Sequence, residues 1–168
     1  MPEDNVKIFH LEMLDRDAFV PKPTSADFNT VLVDPADPRL NQQLYRDVGS
    51  LWQWTDRLIW DATQWSQYVS RNSLNTWIGY WKGERAGYFE LESQDNGNVE
   101  IMYFGLLPQF IGMGLGGILL TAAIESAWQS PHTKRVWLHT CSNDHKHALA
   151  NYLKRGFLLF KTEFENTF

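Results

Sequence analysis

The residues best able to do chemistry sit in the second half of the chain. Gly112-Met113-Gly114-Leu115-Gly116-Gly117 stands between an apolar extended stretch and an apolar helical one. Such a turn presents several backbone N–H groups at a helix N-terminus, where the helix dipole adds partial positive charge. Phosphate or diphosphate suits those donors, and glycine lets it approach the backbone. Tyr152 and Glu100 are of types that can move protons, with no spacing that singles them out. A phenol can give a proton to a leaving group, and a carboxylate among large apolar neighbours has its pKa raised by burial. Glu90 and Glu92 are alternatives on the preceding strand. His139, Asp144, His145 and His147 invite a metal reading, but their spacing does not supply a zinc ligand set, and no metal is expected. Asp144 is expected to cap the helix that follows it. Cys141 lacks triad spacing and reads as a structural thiol.

These residues need a scaffold, and hydrophobic periodicity supplies its outline. Strands are predicted over 6–14, 76–81, 86–91, 99–106, 135–140 and 157–162, with a short one at 30–33. Helices are predicted over 40–48, 60–68, 114–128 and 145–155, the last stopped by Gly156. Lys82-Gly83 and Asn96-Gly97 mark hairpins, so the three strands between 76 and 106 form an antiparallel meander. Alternation along 99–106 places Glu100, Met102 and Phe104 on one face, and Val99, Ile101 and Tyr103 on the other. The fold class is α+β, a mixed α/β domain.

Composition narrows the function. The chain has 168 residues, 43% hydrophobic, with 15 Lys and Arg against 20 Asp and Glu. That is one domain, 1–168, with enough apolar residues for a core. A charge of −5 has the wrong sign for a nucleic-acid binder that neutralises phosphates. One cysteine rules out an intramolecular disulfide framework. Met1–Asn5 shows no basic region followed by an apolar run, so a cytoplasmic location is expected. The uncharged run 101–124 is long enough to raise a membrane helix, but Pro108 and five glycines would break it repeatedly. No membrane partner is expected. Eight Trp are present, and Trp52, Trp54, Trp60 and Trp65 crowd into one stretch. Trp54, Leu58 and Trp65 have the spacing of core residues on a helix, while other rings can wall a site for an organic cation.

The glycine turn formally satisfies G-x-G-x-x-G. In the dinucleotide fold, however, the strand runs directly into the first glycine. Here 107–111 intervenes, and roughly 50 residues remain, too few for the other βαβαβ half. A P-loop fails because no Gly-Lys-Ser/Thr follows. The third ligand is coenzyme A. Residues 106–120, with Pro108, Phe110, Gly112, Gly114, Gly116 and Leu119-Leu120, closely resemble the acetyl-CoA motif of the GNAT superfamily of N-acetyltransferases. Downstream, Ala148, Tyr152, Gly156 and Phe157 resemble that family's A-x-x-x-Y-x-x-x-G-F. The match covers about 99–157. Ile111 stands where the family usually has Arg or Gln, Met113 replaces a frequent basic residue, and His145 sits where Asn is common.

The resemblance implies a GNAT-like fold: a mostly antiparallel central sheet flanked by helices, with a splayed cofactor cleft. It implies acetyl transfer from acetyl-CoA directly to a primary amine on a small molecule or peptide. The helices at about 40–70 would border the acceptor. Cofactor contacts would come from Gly105, Leu106, Ile111, Gly112, Met113, Gly114, Leu115, Gly116 and Gly117, with Asn143 standing in for the usual Asn. Gly105 and Leu106 would hold the acetyl oxygen, although Gly105 equally fits a glycine that makes room for a large neighbour. Tyr152 would be the general acid and Glu100 the base, or else a surface carboxylate. A homodimer is compatible with this reading. The alternative is a non-catalytic CoA-binding or regulatory module of the same fold.

Overall fold

The computed structural model describes residues 6–165, so the expectation for Met1–Asn5 lies outside the described residues. The elements are β1 (Val6–Met13), β2 (Phe28–Leu32), α1 (Pro38–Gly49), α2 (Ala62–Val69), β3 (Leu74–Trp81), β4 (Glu84–Ser93), β5 (Asn98–Leu106), α3 (Leu115–Trp128), β6 (Arg135–Cys141), α4 (Ala148–Lys154) and β7 (Leu158–Glu165). They build a mixed α/β fold on one seven-stranded sheet of order β2-β3-β4-β5-β6-β1-β7. The pairings are antiparallel except β5 with β6. Both hairpin signals hold. Lys82 and Gly83 take φ of 49° and 80°, and Asn96 and Gly97 take 62° and 76°. Two successive positive φ values match the right-handed twist of the flanking strands.

Two apolar layers sandwich the sheet. Tyr88 and Phe89, neighbours on β4, point to opposite layers. On one side α3 is apolar nearly all round and buries Leu115, Leu119, Leu120, Ala123 and Ile124 against Leu11, Phe89, Val136 and Leu138. On the other side α1 and α2 pack Leu44, Val48, Tyr45, Trp65 and Val69 onto β3–β5. Asp37 caps α1, and Asp61 with Gln64 forms a capping box on α2.

The feature that positions the site is a divergence. β5 and β6 pair only over Asn98–Glu100 against Arg135–Trp137. Beyond that rung β5 stays on β4 as far as Leu106, and β6 stays on β1 as far as Cys141. A wedge therefore opens between them, closed at Glu100.

A bulge corrects the expected alternation on β5. Leu91 pairs with Ile101 and Glu90 with Tyr103, which leaves Met102 as an extra residue. Met102 and Tyr103 both pack on the α1–α2 layer, and Phe104 turns to the α3 layer. A bulge re-aims the side chains that follow it, and simple period-2 counting does not see it. Helix boundaries shift as well. α4 starts at Ala148 rather than 145, and α2 starts at Ala62 rather than 60. Trp54 and Leu58 thus lie in the α1–α2 loop. Leu58 is 49% exposed, whereas Trp65 is buried.

Candidate functional site

The glycine turn folds as a left-handed entry into α3. Gly112 and Gly114 have φ of 85° and 77°, and Gly114 is the N-cap. A Cβ on Gly112 would meet nothing within 4 Å, so backbone conformation, not crowding, requires glycine there. Gly117 is different. A Cβ there would lie 2.7 Å from Cδ of Lys22 and 3.4 Å from Oδ1 of Asn151. The first turn of α3 carries no acidic residue, so its N–H groups and dipole are free of a carboxylate within the helix. A cavity of about 360 Å³ opens over the turn, lined by Gly105, Leu106, Ile111, Gly112, Gly114, Leu115, Gly116 and Gly117, and by α4 through Ala148, Asn151 and Tyr152. Met113, 50% exposed, is not among the lining residues. Gly105 owes its residue type to packing, because a Cβ there would sit 2.5 Å from Cγ1 of Val48.

A second cavity, about 190 Å³, occupies the wedge. Met102, Tyr103 and Phe104 line it from β5, Leu138 to Cys141 from β6, and Trp52 to Asp56 from the α1–α2 loop. The two cavities share Trp52, Trp54, Phe104, Asp144 and Tyr152. Tyr152 is buried, with its ring edge-on to Phe104 and Phe157 at centroid distances of 6.1 and 6.2 Å. Burial, with the nearby Asp144 and Cys141, pushes its phenol above the usual tyrosine range. The group is held protonated, the state of a donor. Asn143 lies at the wedge rather than over the glycine turn, its amide 3.4 Å from Oε1 of Gln53.

Asp144 does not cap α4. Its carboxylate accepts from the Thr140 hydroxyl, from the Cys141 N–H at 3.0 Å and from Trp54 Nε1 at 3.3 Å. It ties the α1–α2 loop to the end of β6, and that use of its lone pairs explains the later helix start. Cys141 is half-buried and burial pushes its thiol up, which fits a structural thiol better than a nucleophile.

Glu100 sits at the closed end of the wedge, on the last rung shared by β5 and β6. It is 5% exposed and accepts from Gln94 Nε2 at 3.0 Å, and Nδ1 of His139 is 3.7 Å away. Desolvation raises its carboxyl to about 7; the Gln94 bond opposes this and the charge of Glu92 adds to it. His139 is pushed the other way by burial and by His10, which favours a neutral imidazole.

The two alternative carboxylates are engaged elsewhere. Glu90 is fully buried and holds Arg57 Nη1 at 3.1 Å, Tyr68 Oη at 3.1 Å and Asn41 Nδ2 at 3.0 Å. Arg57 itself is packed among rings, 4.0 Å from the centroid of Tyr68, 4.2 Å from Tyr103 and 4.8 Å from Trp60. Glu92 is partly desolvated, but bonds from Gln94 and from Arg71 at 2.8 Å hold it below the usual range. Trp60 and Trp65 of the tryptophan-rich stretch thus surround a buried ion pair, whereas Trp52 and Trp54 reach the two cavities.

A family profile described as "Acetyltransferase (GNAT) family" matches residues 39–157, from α1 through α4 to the residue after Gly156. The chain belongs to the GNAT acetyltransferase family. Solved structures agree on the fold. A GCN5-related N-acetyltransferase from Sphaerobacter thermophilus superposes with TM-score 0.74 at 12% identity, over 95% of this chain and 50% of that one. Another from Kribbella flavida gives 0.68 at 14%, over 95% and 58%. An aminoglycoside acetyltransferase from an uncultured soil metagenomic sample gives 0.62 at 15%, over 77% and 87%. This GNAT chain therefore spans little more than half the length of several of its structural neighbours. No curated protein sequence matches it.

Sequence reasoning passed over Asn151 and Lys22 and read Trp54 as core. Asn151 lines the cavity over the glycine turn from α4, and Trp54 stands at the junction of the cavities; Lys22 touches the turn from the β1–β2 loop but lines a neighbouring cavity beside α3. Asn151 sits beside Tyr152 in the second motif, a placement that could have flagged it. Nothing in the sequence pointed to Lys22. Among the described residues no group of three or more His, Cys, Asp or Glu is placed to hold a metal. No described helix is long and apolar enough to cross a membrane.

Proposed function

We propose that this chain moves an acetyl group from acetyl-CoA to the primary amine of a small molecule or peptide. The observation that carries the reading is the junction at Tyr152. There the cavity over the α3 N-terminus meets the wedge between β5 and β6. The residues fit the cofactor: a left-handed glycine turn free of acidic residues on one side, and an apolar channel beside β5 on the other.

Acetyl-CoA, when bound, supplies an activated acyl carbon and a thiolate leaving group. The protein then has three tasks. An amine with a pKa near about 10 must lose a proton before it can attack. Glu100, with a carboxyl near pH 7, takes that proton from the wedge side, through His139 or a water. The second task is to polarise the thioester carbonyl. The β6-facing edge of β5 beyond Glu100 has no strand partner; the Leu107 N–H donates to Ala86 of β4, so by alternation Gly105 also faces β4 and the Leu106 N–H points to the open edge and serves as the donor. The third task falls to Tyr152, whose protonated phenol gives its proton to the departing sulfur. The amine enters from the wedge, past Trp52, Trp54 and Asp56, where the lining contains no Lys or Arg. That lining suits a cation.

The test is release of free thiol from acetyl-CoA in the presence of a panel of primary amines, with mass spectrometry of each amine. Acetylated amine with stoichiometric thiol supports the reading. Saturable acetyl-CoA binding with no transfer to any amine would favour the non-catalytic module.

A further inference from the structure

The family resemblance leaves a deficit. Ile111 stands where the family usually has Arg or Gln and Met113 where a basic residue is frequent, so the turn itself brings no side-chain charge to a phosphate. The structure places a cation there from elsewhere. Lys22, in the loop between β1 and β2, is anchored to α3 by its backbone N–H, which donates to Thr121 Oγ1 at 2.9 Å. Its side chain runs across the first turn of α3. Cδ lies 2.7 Å from where a Gly117 Cβ would be, and Nζ lies 3.6 Å from it. The ammonium ends at the glycine turn, donating to the Gly114 carbonyl at 2.7 Å and 3.3 Å from where a Gly114 Cβ would be. Glycine at 117 is what leaves room for this stem.

The electrostatics make the arrangement unusual. A cation is unfavourable at the positive end of a helix dipole unless an anion joins it. No acidic residue occupies the first turn of α3, and among the described residues Lys22 forms no ion pair. An ammonium has three protons to donate, and one is given to Gly114. The helix end, the left-handed glycines and the lysine thus converge as positive groups with no protein counter-charge on the helix.

We infer that Lys22 supplies the basic side chain of the cofactor phosphate site, binding the diphosphate of coenzyme A beside the backbone N–H groups of the glycine turn. The inference rests on the acetyl-CoA reading and adds to it a residue far from both motifs. The lysine does two things at once. It braces the turn through Gly114 and offers its remaining protons to the ligand, so the charge is pre-positioned before binding.

The experiment compares wild type, Lys22→Met and Lys22→Arg by calorimetric binding of CoA and of 3′-dephospho-CoA, and by turnover with acetyl-pantetheine, which lacks the diphosphate. Thermal melting checks that each variant is folded. Lys22→Met should weaken both nucleotides about tenfold or more, the size of a lost charge-assisted hydrogen bond. It should leave KM for acetyl-pantetheine unchanged, and Lys22→Arg should recover most of the binding. Unchanged CoA affinity in Lys22→Met overturns the inference. So does an equal loss on acetyl-pantetheine, which would mark a purely structural lysine. A loss confined to CoA would move the contact to the ribose phosphate and overturn the diphosphate assignment. Wild-type protein that binds no CoA at all would instead overturn the acetyl-CoA reading on which the inference rests.

Discussion

Glu100→Gln separates the burial of that carboxylate from the base role proposed for it. In the folded chain its carboxyl is raised from 4.5 to about 7, chiefly by desolvation. Between those values the native state holds a proton that the unfolded chain releases. Stability therefore falls as pH rises through the window, because fewer protons are bound unfolded than folded. The full difference corresponds to about 3 kcal/mol, present as a cost above pH 7 and absent below about 4.5. Gln has nearly the same shape, can still meet Gln94, and has no charge to desolvate. The variant should match wild type near pH 4.5 and gain on it steadily, by up to about 3 kcal/mol, at pH 7.5. Urea denaturation of both proteins at a series of pH values reads this as a growing difference in midpoint at constant m. Every other titrating group is common to the pair and largely cancels. In the same preparations kcat/KM should fall about a hundredfold or more, with loss of the rising limb near pH 7. Parallel stability curves would refute the desolvation argument. Unchanged kcat/KM would remove Glu100 from proton transfer while leaving its burial intact.

Three further outcomes follow from particular contacts. Tyr152→Phe keeps both ring contacts and should melt like wild type and bind CoA equally, while turnover drops about a hundredfold; turnover at the wild-type level across pH would take the phenol out of the mechanism. Gly156→Ala puts a Cβ 2.0 Å from the Ala18 carbonyl at φ of 108°, so chemical denaturation should show a loss of about 3 kcal/mol or more. A loss below about 1 kcal/mol would mean that the β1–β2 loop yields easily. Glu90→Gln strands the buried Arg57 charge and should cost about 3 kcal/mol in the same assay. It should also raise KM for both the amine and acetyl-CoA, because Arg57 anchors the loop carrying Trp52 and Trp54, which line both cavities. An unchanged KM for both substrates would break that link.

The sequence alone determined a good deal. Asn96-Gly97 and Lys82-Gly83 dictate their hairpins locally, because few residues other than glycine and asparagine accept positive φ. The motif glycines and Tyr152 were legible for a similar reason: their spacing is set by one turn and one helix, which are short-range objects. The uncharged run 101–124 resolved into β5, the turn and α3, as its glycines required.

What depended on distant partners was not legible. The bulge at Met102 arises from pairing with β4, so the faces of Tyr103 and Phe104 could not be read by counting along β5. Asp144 looked like a cap because a cap is the nearest use for such a residue, but Trp54 claims one of its oxygens across the wedge, and Thr140 and Cys141 just before it claim the other. In the tryptophan stretch, helical spacing put Trp54 and Leu58 in the core together with Trp65. In three dimensions the stretch divides between rings that enclose Arg57 and the Trp52–Trp54 pair that lines the cavities. Gly117 is the sharpest case. Its sequence neighbours suggested a glycine kept for a ligand, whereas Lys22, 95 residues away along the chain, occupies the space its missing side chain leaves. Local chemistry fixes which turns and helices form; long-range packing decides which atoms those turns are left facing.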